Sequence, residues 1–129
     1  MKSSTIKIIT NNQLVFEKYQ KITKLQNCSV EDIFTLARNE IHQGAKLINH
    51  PLSGSIKPNE SPYKSLVLSN EHGSLDTESL LMIESAIATL RKLPKHDRKL
   101  PERALNDFQA VDLDLLDSAI IALPANYYF

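Results

Sequence analysis

The sequence predicts a small single-domain α/β fold, with a mainly parallel sheet of about four strands flanked by helices in Rossmann-like βαβ order and a helical C-terminal part. Three observations predict it. Strand-like and helix-like patterns alternate from Thr5 to Ser69. Two long stretches of helical periodicity fill most of the chain beyond Ser74. The 129 residues, 42% hydrophobic and 23% charged, are enough to bury one core without metal or disulfide staples.

Thr5-Ile6-Lys7-Ile8-Ile9-Thr10 is rich in β-branched residues and ends at Asn11-Asn12, a strand and then a turn. Leu14, Val15, Tyr19 and Ile22 recur at helical spacing, so a short helix is expected over about 13–22, with either asparagine as its N-cap. Residues 23–27 form a weak strand candidate. Ser29 and Asp32 have capping-box spacing ahead of an apolar stripe at Val30, Ile33, Phe34, Ala37 and Ile41. Gly44 suits the left-handed backbone that often ends a helix. Strands are expected at 46–49 and 63–69, on either side of a long polar loop.

Beyond the turn at Asn70-Glu71-His72-Gly73, Ser74 opens the longest predicted helix, over about 75–93. Leu80, Ile83, Ile87 and Leu90 form its buried face, and Pro94 ends it. Residues 95–99 are a charged linker. Pro101 suits the first turn of a further helix carrying Leu105 and Phe108. Residues 110–115 alternate apolar and acidic, a short strand or a helix start; Asp114 as an N-cap before Leu116, Ala119, Ile120 and Leu123 favours a helix for the later part. Pro124 stops it, leaving an aromatic tail, Tyr127-Tyr128-Phe129.

Fifteen basic residues balance fifteen acidic ones, so no overall field favours nucleic acid or an anionic membrane as partner. No segment approaches the ~20 apolar residues needed to cross a bilayer. The N-terminal residues lead straight into a strand-like run, without a signal peptide's apolar core, and the expected location is the cytoplasm. Cys28 is the single cysteine, which excludes an intrachain disulfide or a cysteine-based zinc site and reads as apolar filler. No histidine pair has metal-site spacing, and nothing specifies a cofactor.

Most of the unusual chemistry lies in the loop 50–64. Ser53-Gly54-Ser55 with Lys57 offers free backbone amides, two hydroxyls and a cation, a combination that can cradle a small anion or simply make a tight turn. Its spacing matches neither the Walker loop nor the dinucleotide fingerprint. His50 is the candidate for acid–base work, with Asn11, Ser53 or Ser55 as partner, against a structural histidine bonded within its loop. Asp112, Asp114 and Asp117 resemble a cation site but lack the glycine and terminal glutamate of a calcium loop, and read as carboxylates facing water. In a parallel sheet, ligands gather at the carboxyl ends of the strands, where Thr10-Asn11-Asn12 and His50 onward both emerge. The candidate ligand-binding set is therefore Thr10, Asn11, Asn12, His50, Ser53, Gly54, Ser55, Lys57, Asn59 and Tyr63.

The run Ile8-Ile9-Thr10-Asn11-Asn12 with Leu14-Val15, the stretch from Leu47 through His50-Pro51-Leu52-Ser53-Gly54-Ser55 and Lys57-Pro58-Asn59-Glu60-Ser61-Pro62-Tyr63-Lys64-Ser65, and the later Ile83-Glu84-Ser85-Ala86-Ile87 and Asp107-Phe108-Gln109-Ala110-Val111-Asp112 are similar to the GrdX family. These segments span most of the chain, and the 50–65 stretch is the most specific. Gln13 stands where the family often has proline, which bears only on the start of the first helix. The resemblance implies a cytoplasmic accessory role in the glycine, sarcosine or betaine reductase systems of amino-acid-fermenting anaerobic bacteria, and it transfers no catalytic residue. The leading expectation is thus a non-catalytic protein that holds a small anionic molecule or a reductase-system partner through the loop. The alternatives are an enzyme acting on a carboxylate or phosphate ester with His50 as acid–base and Ser53 or Ser55 as nucleophile, and a homo-oligomerising scaffold that uses the loop and tail.

Overall fold

The computed structural model of the protein describes residues 4–20, 22–24, 28–54, 56–95 and 99–129. β1 (Ser4–Thr10) is its central strand. α1 (Gln13–Lys18) carries the chain to β2 (Ile22–Lys24), which lies parallel to β1 with Ile8 opposite Ile22. The first helix is shorter than the periodicity implies, because the backbone is already extended at Tyr19 and Ile22 belongs to β2. Of the weak strand expected at 23–27, residues 25–27 lie outside the described residues, as do 96–98 of the charged linker.

α2 (Val30–His42) starts as the sequence predicts. The Ser29 hydroxyl accepts from the Asp32 amide at 3.1 Å, and the Asp32 carboxylate accepts from the Ser29 amide at 3.0 Å. Gly44 lies just beyond the helix at φ +113°, and a Cβ there would stand 2.3 Å from the Gly73 amide nitrogen, so both conformation and space demand glycine.

The sheet is mixed, not mainly parallel. β3 (Ser65–Ser69) runs antiparallel to β1, with Thr10 opposite Ser65 and Ile6 opposite Ser69. The expected strand at 46–49 is reduced to an isolated antiparallel bridge between Leu47 and Leu68 on the other side of β3, and residues 63–64 precede the strand rather than joining it. The cause lies in the connection. A parallel return needs a crossover, usually a helix, whereas the described residues of loop 50–64 contain none and bring the chain back as a wide hairpin. The order is β2-β1-β3, and β4 (Tyr127–Tyr128) adds parallel pairing to Ser4 and Thr5 of β1.

Helices cover both faces. The alternation of β1 and β3 sends Ile9, Leu66 and Leu68 toward α2 and α3 (Thr77–Lys92), with Phe34, Ile41 and Ile83 in the same cluster. Ile6, Ile8 and Val67 face the opposite way, toward Val15 of α1 and Leu116 of α4 (Glu102–Ile121). Being covered on both sides, these strands read as nearly continuous apolar runs. α3 is capped by Asp76 rather than opened at Ser74. α4 is one continuous helix. Residues 110–115 lie inside it, so Asp114 is not an N-cap, because the stripe Leu105, Phe108, Asp112, Leu116 keeps helical spacing across the acidic stretch. The aromatic tail folds back on the chain. Tyr127 packs in the second cluster and the Phe129 ring stacks on Tyr19 at 5.4 Å.

Candidate functional site

The carboxyl end of β1, the start of β3 and the middle of α4 meet at one rim. Thr10 and Asn12 are 0% exposed there. The Thr10 and Ser65 hydroxyls lie 2.7 Å apart, and Ser65 donates to Asp112 Oδ2 at 2.7 Å. Asn12 Nδ2 donates to the same oxygen and to the Gln109 carbonyl, both at 2.9 Å, while Asn12 Oδ1 caps α1 by accepting from the Leu14 amide at 3.0 Å. Asn11 faces the loop. Its Nδ2 donates to the carbonyls of Cys28 and Pro62, at 2.9 and 2.8 Å, and its Oδ1 accepts from the Lys64 amide at 3.0 Å. The two asparagines thus clamp α4 on one side and the end of the loop on the other.

The loop candidates separate. His50 is exposed, and its Nδ1 accepts from the Leu52 amide at 3.1 Å rather than bonding Asn11 or Ser53. Ser53 is exposed as well, and Ser55 lies outside the described residues. Gly54, at φ +101°, leaves 2.9 Å between a built Cβ and Leu115 of α4, so the Ser-Gly segment packs closely on that helix. Asn59 Nδ2 reaches the Pro94 carbonyl at 2.9 Å, tying the loop to the end of α3. The Tyr63 hydroxyl accepts from Gln109 Nε2 at 3.0 Å. Ser53, Lys57 and Tyr63 share the lining of a cavity of about 20 Å³ with Lys64 and Asp112, room for a single water. Neither Asn11 nor Asn12 lines that cavity.

Asp112 departs most sharply from the sequence expectation. It does not face water but is 7% exposed in mid-helix. Burial raises its carboxyl above the ordinary range, although the bonds from Asn12 and Ser65 and the charge of Lys64 oppose this. Burial likewise lowers Lys64, with Asp112 as the opposing attraction. Asp117 does sit near the surface. Burial pushes its carboxyl up, but the bonds from Tyr19 and Lys18 outweigh that and hold it below the usual value. The Tyr19 hydroxyl is pushed up to about 12 by burial and by its 2.5 Å bond to Asp117. The three aspartates do not converge, and among the described residues no group of His, Cys, Asp or Glu has the arrangement of a metal site. Lys64, Ser65 and Gln109 escaped the sequence reading of the site, and Asp112 entered it only as a carboxylate facing water or part of a cation site. The signal for Asp112 was its spacing of four from both Phe108 and Leu116, a carboxylate on an apolar stripe.

The larger concavity lies on the far side of the loop. A groove of about 860 Å³ runs between the start of α2, the end of α3 and residues 58–62, with Val30, Leu90, Leu93 and Leu105 supplying apolar lining and Pro58 and Pro62 on the loop side. The Arg91–Glu31 ion pair, 3.0 Å and exposed on both sides, links α3 to α2 beside it and adds little stability. Its volume falls in the range of ligand-binding clefts.

Among the described residues, no helix is long and apolar enough to cross a membrane. No curated protein and no solved structure matches the chain significantly. The family model for GrdX-like proteins does match, over residues 7–121 and so from the middle of β1 to the end of α4, and the chain belongs to that family.

Proposed function

We propose that the chain is a non-catalytic accessory protein of a glycine, sarcosine or betaine reductase system, and that it receives an apolar segment of a reductase protein in the groove walled by residues 58–62. Family membership supports the reductase setting, in the cytoplasm. The observation that carries the binding mode is the contrast in size between a groove of about 860 Å³, with Val30, Leu90, Leu93 and Leu105 in its lining, and a cavity of about 20 Å³ bounded by the same loop. Asn11 and Asn59 pin the loop at Pro62 and Pro94, so the groove wall is already built. A preformed wall avoids part of the ordering cost of association. The enzyme reading fares less well, since the His50 ring spends Nδ1 on the Leu52 amide and has no nucleophile bonded to it among the described residues.

The test is size-exclusion chromatography of the purified chain with purified components of the three reductases. Co-elution with one of them is expected. It should be lost with Leu93→Asp in the groove and kept with Leu81→Asp, an exposed position on α3 outside it. Absence of any complex, or equal loss in both variants, would refute the proposal.

A further inference from the structure

The small cavity has chemistry that partner binding leaves unused. Lys64 is half-buried in its lining, and among the described residues its ammonium makes no hydrogen bond and no ion pair. The bond this residue does make, to Asn11 Oδ1, uses the backbone amide. An ammonium carries three donors, and a half-buried one without a protein acceptor is open to an incoming acceptor. The Tyr63 hydroxyl accepts from Gln109 and therefore keeps its own proton to donate. Lys57 and Ser53 are exposed at the mouth, while Phe108 and Leu115 add apolar surface.

The charges around this space select among anions. Lys57 and Lys64 set against Asp112 leave a single net positive charge. A phosphate dianion would bring an excess negative charge against Asp112, whereas a carboxylate balances the site. The volume, close to that of one water, admits a single carboxylate oxygen while the remainder of the ligand stays at the mouth. We propose that this cavity binds a small aliphatic monocarboxylate, with its carboxylate on Lys64 and Tyr63, Lys57 at the entrance, and its alkyl part against Phe108 and Leu115. This site shares Pro58 and Ser61 with the groove wall but does not rest on the partner-binding reading.

A two-dimensional ¹H–¹⁵N titration with propionate, repeated with inorganic phosphate at matched ionic strength, tests the proposal. Propionate should give saturable shifts at the amides of Ser53, Lys57 and Lys64, with an affinity roughly tenfold or more above that for phosphate. Lys64→Met should weaken propionate by roughly tenfold, and Lys57→Ala and Tyr63→Phe by smaller factors. Should Lys64→Met fail to fold, the other two variants decide, because Lys57 is exposed and Tyr63→Phe keeps the ring. No saturable shift, phosphate binding as tightly as propionate, or unchanged propionate affinity in the variants that fold would overturn it.

Discussion

Asn12 ties β1, α1 and α4 together at the rim. Its amide donates to Thr10 Oγ1 at 3.0 Å, its Oδ1 caps α1, and its Nδ2 holds both Asp112 and the Gln109 carbonyl of α4. Truncation removes a cap worth about 1 kcal/mol and leaves buried acceptors short of a donor at about 1–3 kcal/mol. Asn12→Ala should therefore lower the unfolding free energy by about 2–4 kcal/mol in urea titration, and a loss below about 0.5 kcal/mol would show that these bonds stabilise nothing. Asp112 contributes to the pH dependence. Its folded carboxyl sits above the unfolded value because of burial, so the folded chain holds that proton more tightly. The associated stability is complete below the unfolded value of about 3.9 and is lost as pH rises through the folded one. A carbon-detected titration of the Asp112 carboxyl should give a midpoint above about 3.9; a midpoint at or below it would contradict the burial argument.

At the scale of elements, two glycines fix how the loops seat. Gly44 ends α2 against the backbone of His72 and Gly73, whereas Gly54 lies against the side chain of Leu115. Both have positive φ, a strain of about 1–3 kcal/mol for any other residue. Backbone cannot yield as a leucine side chain can, so Gly44→Ala should cost more than Gly54→Ala by about 1 kcal/mol or more. Thermal unfolding of the two variants measures this, and the reverse order would mean that the 70–73 turn is not packed on the end of α2. The loop 50–64 depends on a similar division of labour. Gly54 sets its first half on α4, while Asn11 and Asn59 hold its second half against β1 and the end of α3.

At the scale of the whole molecule, the sequence disclosed what is local and concealed what is not. The capping box at Ser29, the stripe from Val30 to Ile41 and the stop at Gly44 depend on neighbours within a few residues, and each reappears in the fold. Strand direction does not depend on neighbours. Leu66-Val67-Leu68 reads the same in a parallel or an antiparallel strand, and only the missing helix in 50–64 pointed to the hairpin that reverses β3. The rim was half visible. Thr10, Asn11 and Asn12 were legible as the turn after β1, but their partners lie as far as 100 residues along the chain, at Asp112. Tyr63 and Lys57 were legible as loop chemistry, whereas Lys64 was masked by its adjacency to a strand. The groove was not legible, because α2, the loop, α3 and α4 all contribute to it. Its role is the central claim, and hydrogen–deuterium exchange on the complex with a co-eluting reductase protein tests it most directly. Protection should concentrate in residues 28–31, 58–62 and 90–95, which supply most of the groove lining. Protection confined to other surfaces, with those three segments exchanging as in the free chain, would contradict it.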